Sequence, residues 1–449
     1  MTDQPTAADL SADIKRVFEA QRANQWNAKA SDAAARKAKL TKLKNAVEAH
    51  ADDIVAAVLK DTRKPEAEIR TTEVMGVIGN IQLNIDNLEE WMQPTSVEPS
   101  KGGNDTAMIV PEARGVCLIL GPWNFPLGLT FGPVAAAIAA GNTCMVKLTD
   151  LCPNVAKIAK AIVEEVFEEN ECAVFEGDVS VAEALLELPF NHIFFTGSPR
   201  VGKIVMAAAA KHLSTVTLEL GGKSPVIIDH GTEIAPVAAA LAGAKQFNGG
   251  QACICPDYVF VPEDKQDELV EGFRENVQKN LYGSGELDKS SIAQIVNERN
   301  FSRVKGLVDD AVAKGANIAV GGQMDEDDLT IHPTMLTNVT PQMKVMQDEI
   351  FAPVLPVMTY DTLDQVIDYI EARDKPLALY MFSSSEENMD KVLKRTSSGG
   401  TTLNGVFSHY LENRLPFGGV NGSGMGSYHG VWGFREFSHH RSVYKHKAA

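Results

Sequence analysis

Short runs of β-branched and apolar residues alternate with stretches of helical period through most of this sequence. In the first half, strand-like runs cover residues 115–120, 143–147, 173–175 and 192–195, with helical stretches at 155–168 and 203–212. The alternation restarts after Glu219, with strand-like runs at 225–228, 258–261, 354–358 and 377–382 and helical stretches at 266–280, 301–314 and 363–372. Such alternation forms βαβ units with parallel strands and right-handed crossovers. The sequence therefore predicts two α/β domains with a boundary near Glu219.

The segments before the alternation are predicted to form helices and a hairpin. The first ninety or so residues have helical period, and Ser31 and Asp32 are candidate helix caps. Residues 95–105 are polar and contain proline and glycine, which indicates a hairpin excursion from the main fold at about 94–113.

Length, charge and cysteine content narrow the class of protein. A chain of 449 residues is too long to fold around one ordinary hydrophobic core, so two or three domains are expected. A formal net charge of -17 would repel nucleic-acid phosphates. The six cysteines lack the paired spacing of a disulfide framework or a structural zinc site. No secretory signal pattern is present, and no apolar run approaches the ~20 residues that span a bilayer. We therefore expect a soluble cytoplasmic protein without metal, nucleic-acid partner or membrane anchor.

A glycine-containing turn at residues 197–204 follows a strand-like run and opens a helix. It matches a phosphate-binding P-loop as far as Lys203, but Ile204 stands where Ser or Thr must bind Mg²⁺. A P-loop nucleotide-binding protein is therefore an alternative that would have to bind without this hydroxyl. The free N–H groups and the positive dipole end of the helix also suit a pyrophosphate, and a plain turn is the third interpretation.

Lys147 ends one strand-like run, and Asp150 follows three residues later. A carboxylate at a strand end can accept both hydroxyls of an adenosine ribose, as in sites that bind NAD. A surface lysine and aspartate on a loop would have the same spacing, so both interpretations stay open.

Cys253 and Cys255 form a Cys-x-Cys sequence after Gly249 and Gly250. A metal half-site of this kind would need a second pair. If the segment is extended, the two thiols point to opposite faces, so that one lies in a cleft and the other packs as a small hydrophobe. The glycines let backbone N–H groups approach Cys253 closely, which favours Cys253 as a nucleophile over an inert buried thiol.

Two other polar residues interrupt apolar runs. Glu219 breaks the alternation at 216–220, so we expect a raised pKa and a role as a general base, with a salt-bridged structural glutamate as the alternative. Asn124 follows Trp123 and is either a turn residue or an amide donor. A thiol nucleophile, a carboxylate base and an amide that stabilises an oxyanion are together typical of acyl-thioester chemistry.

Taken together, these segments resemble the aldehyde dehydrogenase superfamily over most of the chain, from the Gly-Pro-Trp-Asn segment at 121–124 to the Pro-Phe-Gly-Gly segment at 416–419. Segments 250–258 and 422–430 resemble the class 3 branch, which includes fatty, benzylic and coniferyl aldehyde dehydrogenases. The resemblance implies two doubly wound α/β domains, with a small β-bridging oligomerisation element and a homodimer. It also implies NAD(P)⁺-dependent oxidation of an aromatic or medium- to long-chain aliphatic aldehyde to the acid, through a thiohemiacetal and a thioester.

The same resemblance implies a role for individual residues. Cys253 would be the nucleophile, Asn124 with the Cys253 N–H the oxyanion hole, and Glu219 the general base. The residues implied for the cofactor are Trp123, Lys147, Asp150, Gly177, Gly197, Ser198, Gly202, Leu220, Gly221, Glu349 and Phe351. Those implied for the substrate are Phe125, Phe407 and His409. The implied domains are an NAD(P)-binding domain at 1–218, a catalytic domain at 219–404, and a tail at 405–449 that lines the substrate tunnel and bridges the dimer.

Several positions depart from the family pattern. Asp150 replaces the usual Glu, so its reach to the ribose is shorter and the choice between NAD and NADP stays open. NAD is the expected cofactor, because a carboxylate at this position repels a 2′-phosphate. Phe125 stands where the branch commonly has Tyr, which removes a hydroxyl near the substrate. A catalytically silent relative would lack Cys253, Glu219 or Asn124, and all three are present.

Overall fold

The computed structural model of the chain describes residues 7–100, 105–283 and 285–447. The described chain begins with helices, as predicted. They are α1 (Ala7–Ala30), α2 (Ala33–Ala49), α3 (Ala51–Thr62), α4 (Glu66–Ile69), a π-helical turn (Arg70–Met75) and α5 (Gly76–Trp91). The carboxylate of Asp32 caps α2 by accepting the Ala35 N–H at 2.8 Å, whereas the Ser31 hydroxyl donates to Ala28 O. Asp32 is therefore the cap of α2.

A small antiparallel sheet lies where the hairpin excursion was predicted. Its strands are β1 (Thr95–Val97), β2 (Thr106–Ala113) and β18 (Ser438–Lys445), in the order β1–β2–β18. The ladder between β2 and β18 runs over eight residue pairs, from Ser438 opposite Ala113 to Lys445 opposite Thr106. The predicted excursion is therefore paired with the end of the described chain, and its residues 101–104 lie outside the described part.

A six-stranded sheet forms the first α/β unit. Its strands are β3 (Val116–Leu120), β4 (Thr143–Lys147), β5 (Cys172–Phe175), β6 (His192–Gly197), β7 (Thr215–Leu220) and β17 (Gly424–Met425). The order is β17–β7–β6–β3–β4–β5, and the short β17 is antiparallel to β7 while the other pairs are parallel. The connecting helices are α6 (Gly128–Ala139), α7 (Pro153–Val166), α8 (Val179–Leu186) and α9 (Pro199–Ala210).

Both faces of this sheet are covered. Cys117 and Ile119 of β3 pack into a core with α6 and α7, whereas Val116 and Leu118 pack into a second core with α1 and α9. Successive side chains of a strand point to opposite faces, so a strand covered by helices on both faces is apolar throughout. This is the doubly wound arrangement that was expected.

A seven-stranded sheet forms the second α/β unit. Its strands are β8 (Pro225–Ile228), β9 (Tyr258–Pro262), β10 (Asn317–Val320), β13 (Thr334–Thr337), β14 (Val354–Tyr360), β15 (Ala378–Phe382) and β16 (Gly400–Leu403), and a separate two-stranded ribbon pairs β11 (Met324–Asp325) with β12 (Thr330–Ile331). The order is β10–β13–β14–β9–β8–β15–β16, with only β10 antiparallel among the described strands. Its helices are α10 (Ile234–Gln246), α11 (Gln266–Leu281), α12 (Glu298–Ala313), α13 (Leu363–Glu371) and α14 (Glu386–Arg395), followed by α15 (Ser408–Leu411) and α16 (Gly430–Glu436).

Every strand-like run predicted from the sequence is a strand, and every helical stretch predicted within the alternation overlaps a helix. The passage between the two sheets lies slightly beyond the expected boundary. β7 continues to Leu220, so Glu219 belongs to the six-stranded sheet, and residues 221–224 lead to β8. The tail also returns to the first sheet, since Gly424 of β17 pairs with Glu219. The limits 1–218, 219–404 and 405–449 stay a prediction.

Candidate active site

The loop that carries Asn124 connects β3 to α6 and is held against the loop that carries Cys253. Asn124 is 5% exposed, and its side-chain amide donates to Gln251 O at 3.1 Å. Its backbone carbonyl accepts two hydrogen bonds, from Asn248 Nδ2 at 3.0 Å and from Lys64 Nζ at 2.9 Å. The structure therefore brings two segments together that are far apart in the sequence.

The loop before Cys253 contains three consecutive residues in the left-handed region. The φ angles of Asn248, Gly249 and Gly250 are 48°, 58° and 71°. A Cβ at Gly249 would stand 2.8 Å from Ala293 O, and one at Gly250 would stand 2.4 Å from Ala352 O. Both the conformation and the close approach require glycine at these two positions.

Gln251 anchors the same loop to a neighbouring segment. Its Nε2 donates to Gln294 O at 2.9 Å, and its Oε1 accepts the Val296 N–H at 3.1 Å. The side chain is 2% exposed and bonded at both ends of its amide, so it fixes the backbone just before the cysteine.

The two thiols of the Cys-x-Cys sequence differ in exposure, but not through an extended segment. Residues 252–255 form a turn in which the Cys255 N–H donates to Ala252 O at 2.9 Å, so the condition of an extended segment is not met. Cys253 is half-buried, whereas Cys255 is buried with its thiol directed at Ala244 O. A tight turn is the local consequence of the glycine-rich approach, and it leaves only Cys253 open to a ligand.

The environment of Cys253 disfavours the thiolate form of its side chain. Burial raises its pKa, and the carboxylates of Glu349 and Glu219 raise it further, while the N–H groups of Cys253 and Ile254 oppose the shift. A thiol in such a setting needs a base to become a thiolate, because only the thiolate is the strong nucleophile.

Glu219 lies in β7 with its carboxylate buried. The residue is 3% exposed, and neither carboxylate oxygen has a hydrogen-bond partner in the described part of the chain. Burial raises the pKa of Glu219 well above its usual value, and Glu436 adds to the shift. A buried polar group without a partner is rare in folded proteins and is a feature of reactive sites. Glu219 makes no salt bridge with any residue that the structure describes, which argues against the alternative of a salt-bridged glutamate.

Glu349 precedes Phe351 in a segment that follows the 3₁₀ turn at Lys344–Met346. Burial, reinforced by Asp257, raises the pKa of Glu349 to about 8. A Cβ built on Gly221 would stand 2.1 Å from Glu349 Oε2, so the missing side chain of Gly221 makes room for this carboxylate. Gly221, just after the end of β7, therefore lies beside a carboxylate from the second α/β unit.

Phe351 lies in the same segment as Glu349 and packs against Trp123. Its φ is +53°, which is strained for an aromatic residue, and its ring meets the Trp123 ring edge-on at a centroid distance of 5.3 Å. Arg303 holds the preceding backbone by donating to Glu349 O at 2.9 Å and Ile350 O at 2.8 Å. Asp257 accepts the Ile350 N–H at 2.9 Å. These bonds account for how the strained segment is maintained.

Lys147 and Asp150 lie at the carboxyl end of β4. Lys147 is 7% exposed, and burial lowers its pKa while Asp150 and Asp178 oppose the shift. Asp150 is exposed. Gly177, at φ +130°, precedes Asp178, whose carboxylate caps α8 by accepting the Ser180 N–H at 2.9 Å. The carboxyl ends of β4 and β5 lie at the same edge of a parallel sheet, where α/β proteins bind nucleotides.

The turn at Gly197 leads into α9 at the same edge of the sheet. Ser198 is the N-cap of this twelve-residue helix, with its Oγ accepting the Val201 N–H at 3.4 Å. A Cβ at Gly202 would stand 2.7 Å from Leu220, so glycine allows α9 to pack closely on the end of β7. The positive dipole end of α9 fits a pyrophosphate.

The polar groups at this edge fit a dinucleotide. Lys147 and Asp150 could hold the adenosine ribose, and the start of α9 the pyrophosphate. The Glu349 carboxylate, in the space left by Gly221, could hold the second ribose. Within the described residues, no group of three or more His, Cys, Asp and Glu side chains is arranged to hold a metal.

Aromatic rings from the loops that carry Asn124 and Cys253 pack against one another. Phe125 stacks on Phe247 at 5.6 Å, and Phe247 meets Phe407 at 5.9 Å. Phe407 has a φ of +65°. Among the predicted substrate residues, His409 is the least directly placed, since it contacts Tyr380 at 5.9 Å and Tyr380 in turn contacts Phe407 at 6.3 Å. His409 is buried, and burial lowers its pKa to about 4.

Sequence reasoning did not identify several residues that contact the site. Phe247 joins the aromatic side, Asn248 bonds the Asn124 loop, and Lys64 and Glu68 reach it from the helical N-terminal region. Only Asn248 had a signal in the sequence, because an Asn-Gly-Gly run predicts left-handed backbone.

No helix in the part of the chain that is described here is both long and apolar enough to cross a membrane.

Comparison with known proteins gives one consistent family. The model of the aldehyde dehydrogenase family matches residues 4–443. AldX of Bacillus subtilis (strain 168) is 49% identical over 433 residues, which are 96% of this chain and 97% of that protein. A Caulobacter vibrioides protein named as a probable coniferyl aldehyde dehydrogenase is 42% identical, over 88% of this chain and 83% of its own. Aldehyde dehydrogenase family 3 member A2 of Mus musculus is also 42% identical, over 90% of this chain and 82% of its own.

The solved structures agree. The substrate-bound state of Staphylococcus aureus AldH superposes with a TM-score of 0.93 at 37% identity, covering 97% of this chain and 94% of that one. The α/β fold expected from the resemblance is confirmed, and the P-loop and silent-relative alternatives are not favoured. The chain belongs to the aldehyde dehydrogenase family, in its class 3-like branch, and is an enzyme that oxidises aldehydes with NAD(P)⁺.

Proposed function

We propose that Cys253 is the nucleophile of this oxidation, that Asn124 and the Cys253 N–H form the oxyanion hole, and that Glu219 is the general base. The observation that carries the assignment is the buried Glu219 carboxylate. Among the described residues neither of its oxygens has a hydrogen-bond partner, and it shares its surroundings with the Cys253 thiol. Burial raises the pKa of both groups, so an ionised Glu219 is a stronger base than an exposed carboxylate.

The chemistry follows from these positions. The Cys253 thiolate adds to the aldehyde carbon and gives a tetrahedral thiohemiacetal. Asn124 Nδ2 uses one hydrogen for Gln251 O, and its second hydrogen is free to donate to the oxyanion. NAD(P)⁺, when bound, would supply the hydride acceptor for the oxidation at this carbon. Glu219 then takes a proton from the water that hydrolyses the Cys253 thioester to the carboxylic acid.

The cofactor assignments rest on the edge shared by β4, β6 and β7. Lys147 and Asp150 hold the adenosine ribose, and Gly197, Ser198 and the start of α9 hold the pyrophosphate. Gly177 and Gly202 let side chains pack closely beside them, since a Cβ at Gly177 would stand 2.5 Å from the Val181 side chain. Glu349 holds the nicotinamide ribose. Trp123 and Phe351, whose rings pack against each other, flank the nicotinamide ring.

The substrate is an aromatic or medium- to long-chain aliphatic aldehyde. The rings of Phe125, Phe247 and Phe407 line the approach to Cys253 with apolar surface, which favours apolar aldehydes over hydroxylated ones. A relative named for coniferyl aldehyde supports the aromatic class. His409 shapes this surface from behind Tyr380.

The enzyme is a cytoplasmic homodimer in this proposal. All six cysteines are unpaired thiols, as suits a reducing compartment. The small sheet exposes Val97 at 45%, Ile109 at 37% and Tyr444 at 49%, and its outer strands leave backbone groups for pairing with a second copy. Light scattering after size exclusion should give twice the monomer mass, and a monomer at all concentrations would contradict the dimer.

One experiment tests the site assignment and the substrate class together. A panel of aliphatic and aromatic aldehydes is assayed by the absorbance of reduced cofactor, with wild type, Cys253→Ala and Cys255→Ala. Cys253→Ala should abolish turnover for every aldehyde, whereas Cys255→Ala should largely keep it. An active Cys253→Ala with an inactive Cys255→Ala would overturn the assignment. A preference for small hydroxylated aldehydes would overturn the substrate class.

A further inference from the structure

A buried ion pair joins two residues of the helical N-terminal region. Lys64 Nζ and Glu73 Oε1 lie 3.0 Å apart, and both side chains are 0% exposed. Taking two charges out of water is expensive, and the cost is offset only when every remaining donor and acceptor is also bonded. The partners of these two side chains therefore show what the pair is built to hold.

The remaining bonds of the pair go to the loop that carries Asn124. Lys64 Nζ donates to Asn124 O at 2.9 Å and stands 4.1 Å from the centre of the Phe125 ring. Glu73 Oε2 accepts the Leu127 N–H at 3.0 Å and the Gly128 N–H at 2.8 Å. The cation thus fixes the start of the loop, and the carboxylate fixes its end at the N-terminus of α6, where the helix dipole favours negative charge.

The same region also contacts the loop that carries Cys253. Glu68 Oε2 accepts the Asn248 N–H at 2.9 Å. The Asn248 amide in turn donates to Asn124 O at 3.0 Å and to Gln251 O at 3.0 Å. Glu73 lies in the π-helical turn at Arg70–Met75, and such turns occur frequently at functional sites.

We propose that Lys64 and Glu73 are positioning residues that hold the Asn124 backbone so that its side-chain amide points at the oxyanion on Cys253. The inference rests on the proposed role of Asn124. Stability alone does not explain the pair, since an apolar pair of similar volume is often as stable in a protein interior. The bonds instead end on the loop that carries the amide, and a displacement of about 1 Å in a reacting geometry costs on the order of 10²-fold in rate.

A kinetic double-mutant cycle tests this. Single-turnover formation of reduced cofactor is measured at saturating NAD⁺ for wild type, Asn124→Ala, Lys64→Met and the double variant. Asn124→Ala should slow hydride transfer ~10²–10³-fold, as for loss of one oxyanion donor. Lys64→Met should slow it ~10–10²-fold, and the double variant should be no slower than Asn124→Ala. If the effects of the two single substitutions multiply in the double variant, the inference is overturned. A wild-type rate for Lys64→Met would also overturn it.

Controls separate positioning from folding. Lys64→Met/Glu73→Met removes both charges and replaces Lys64→Met should that variant fail to fold. The cofactor dissociation constant should stay at its wild-type value in each variant, because the pair contacts no cofactor residue. Arg36, another buried cation, donates to Ala139 O at 3.0 Å and Lys29 O at 2.9 Å, so Arg36→Met should change the melting temperature without changing the rate. A slowed Arg36→Met would make the Lys64 effect generic and overturn the inference.

The cycle also distinguishes the two levels of the argument. A fully active Asn124→Ala would refute the oxyanion assignment and with it the role of Lys64. A slow Asn124→Ala whose effect multiplies with that of Lys64→Met would leave the proposed function intact and refute the positioning role alone.

Discussion

A methyl group at Gly221 would occupy the place of the Glu349 carboxylate. The ideal Cβ lies 2.1 Å from Oε2 and 2.7 Å from both Oε1 and Cδ of Glu349. Non-bonded heavy atoms prefer roughly 3.5 Å or more, so in Gly221→Ala the carboxylate must move by more than about 1 Å. The displaced atoms are the end of a flexible side chain, and Gly221 does not have a left-handed φ. The variant should therefore fold with a melting temperature close to that of wild type.

The kinetic effect should be much larger than the effect on stability. A group displaced by about 1 Å loses on the order of 10²-fold, and this loss should fall on kcat/KM for NAD⁺, since Glu349 is the proposed ligand of the nicotinamide ribose. Initial rates at varied NAD⁺ and saturating aldehyde measure it. Gly243→Ala is the matched control, because a Cβ at this exposed position of α10 meets nothing within 4 Å.

Two results would refute this reasoning. Wild-type kcat/KM for NAD⁺ in Gly221→Ala would show that the position of the Glu349 carboxylate does not matter. A loss of equal size in Gly221→Ala that remains fully additive with Glu349→Gln would show that the methyl group acts on another part of the site.

NAD⁺ should give a higher kcat/KM than NADP⁺, because the exposed Asp150 carboxylate beyond β4 repels a 2′-phosphate; initial rates with both cofactors decide this, and a ratio favouring NADP⁺ contradicts it. Glu219→Gln should keep a burst of about one reduced cofactor per site and then turn over ~10²–10⁴-fold more slowly, since it keeps the shape but loses the base; stopped-flow absorbance measures both phases, and a missing burst would assign Glu219 to activation of Cys253. Burial raises the pKa of Glu68 from 4.5 to about 7 in the folded protein, so between these pH values the folded wild type keeps a proton that the unfolded chain has lost. The wild type therefore loses stability as the pH rises through this window, and Glu68→Gln should gain stability relative to it. Thermal unfolding across the pH range measures the difference, and a constant difference would contradict a buried carboxylate.

The order of elements and much of the site could be predicted from local patterns. Strands such as β3 are apolar on both faces because helices cover both, and that pattern is visible in five residues. The approach to Cys253 was also predictable in kind, since Gly249 and Gly250 adopt the left-handed conformation that glycine permits. The aldehyde dehydrogenase fold was recognisable because its motifs are short, contiguous and in a fixed order.

Only the tertiary structure decided which groups surround the reacting cysteine. Lys64 bonds Asn124 across 60 positions of the sequence, and Glu68 bonds Asn248 across 180. Both lie in a region whose sequence indicates nothing beyond helix. The turn at Cys253, the space that Gly221 leaves for Glu349, and the missing partners of Glu219 are equally invisible in the sequence. Periodicity and turn preference act between near neighbours, whereas burial, pKa and hydrogen-bond partners depend on residues that only folding brings together.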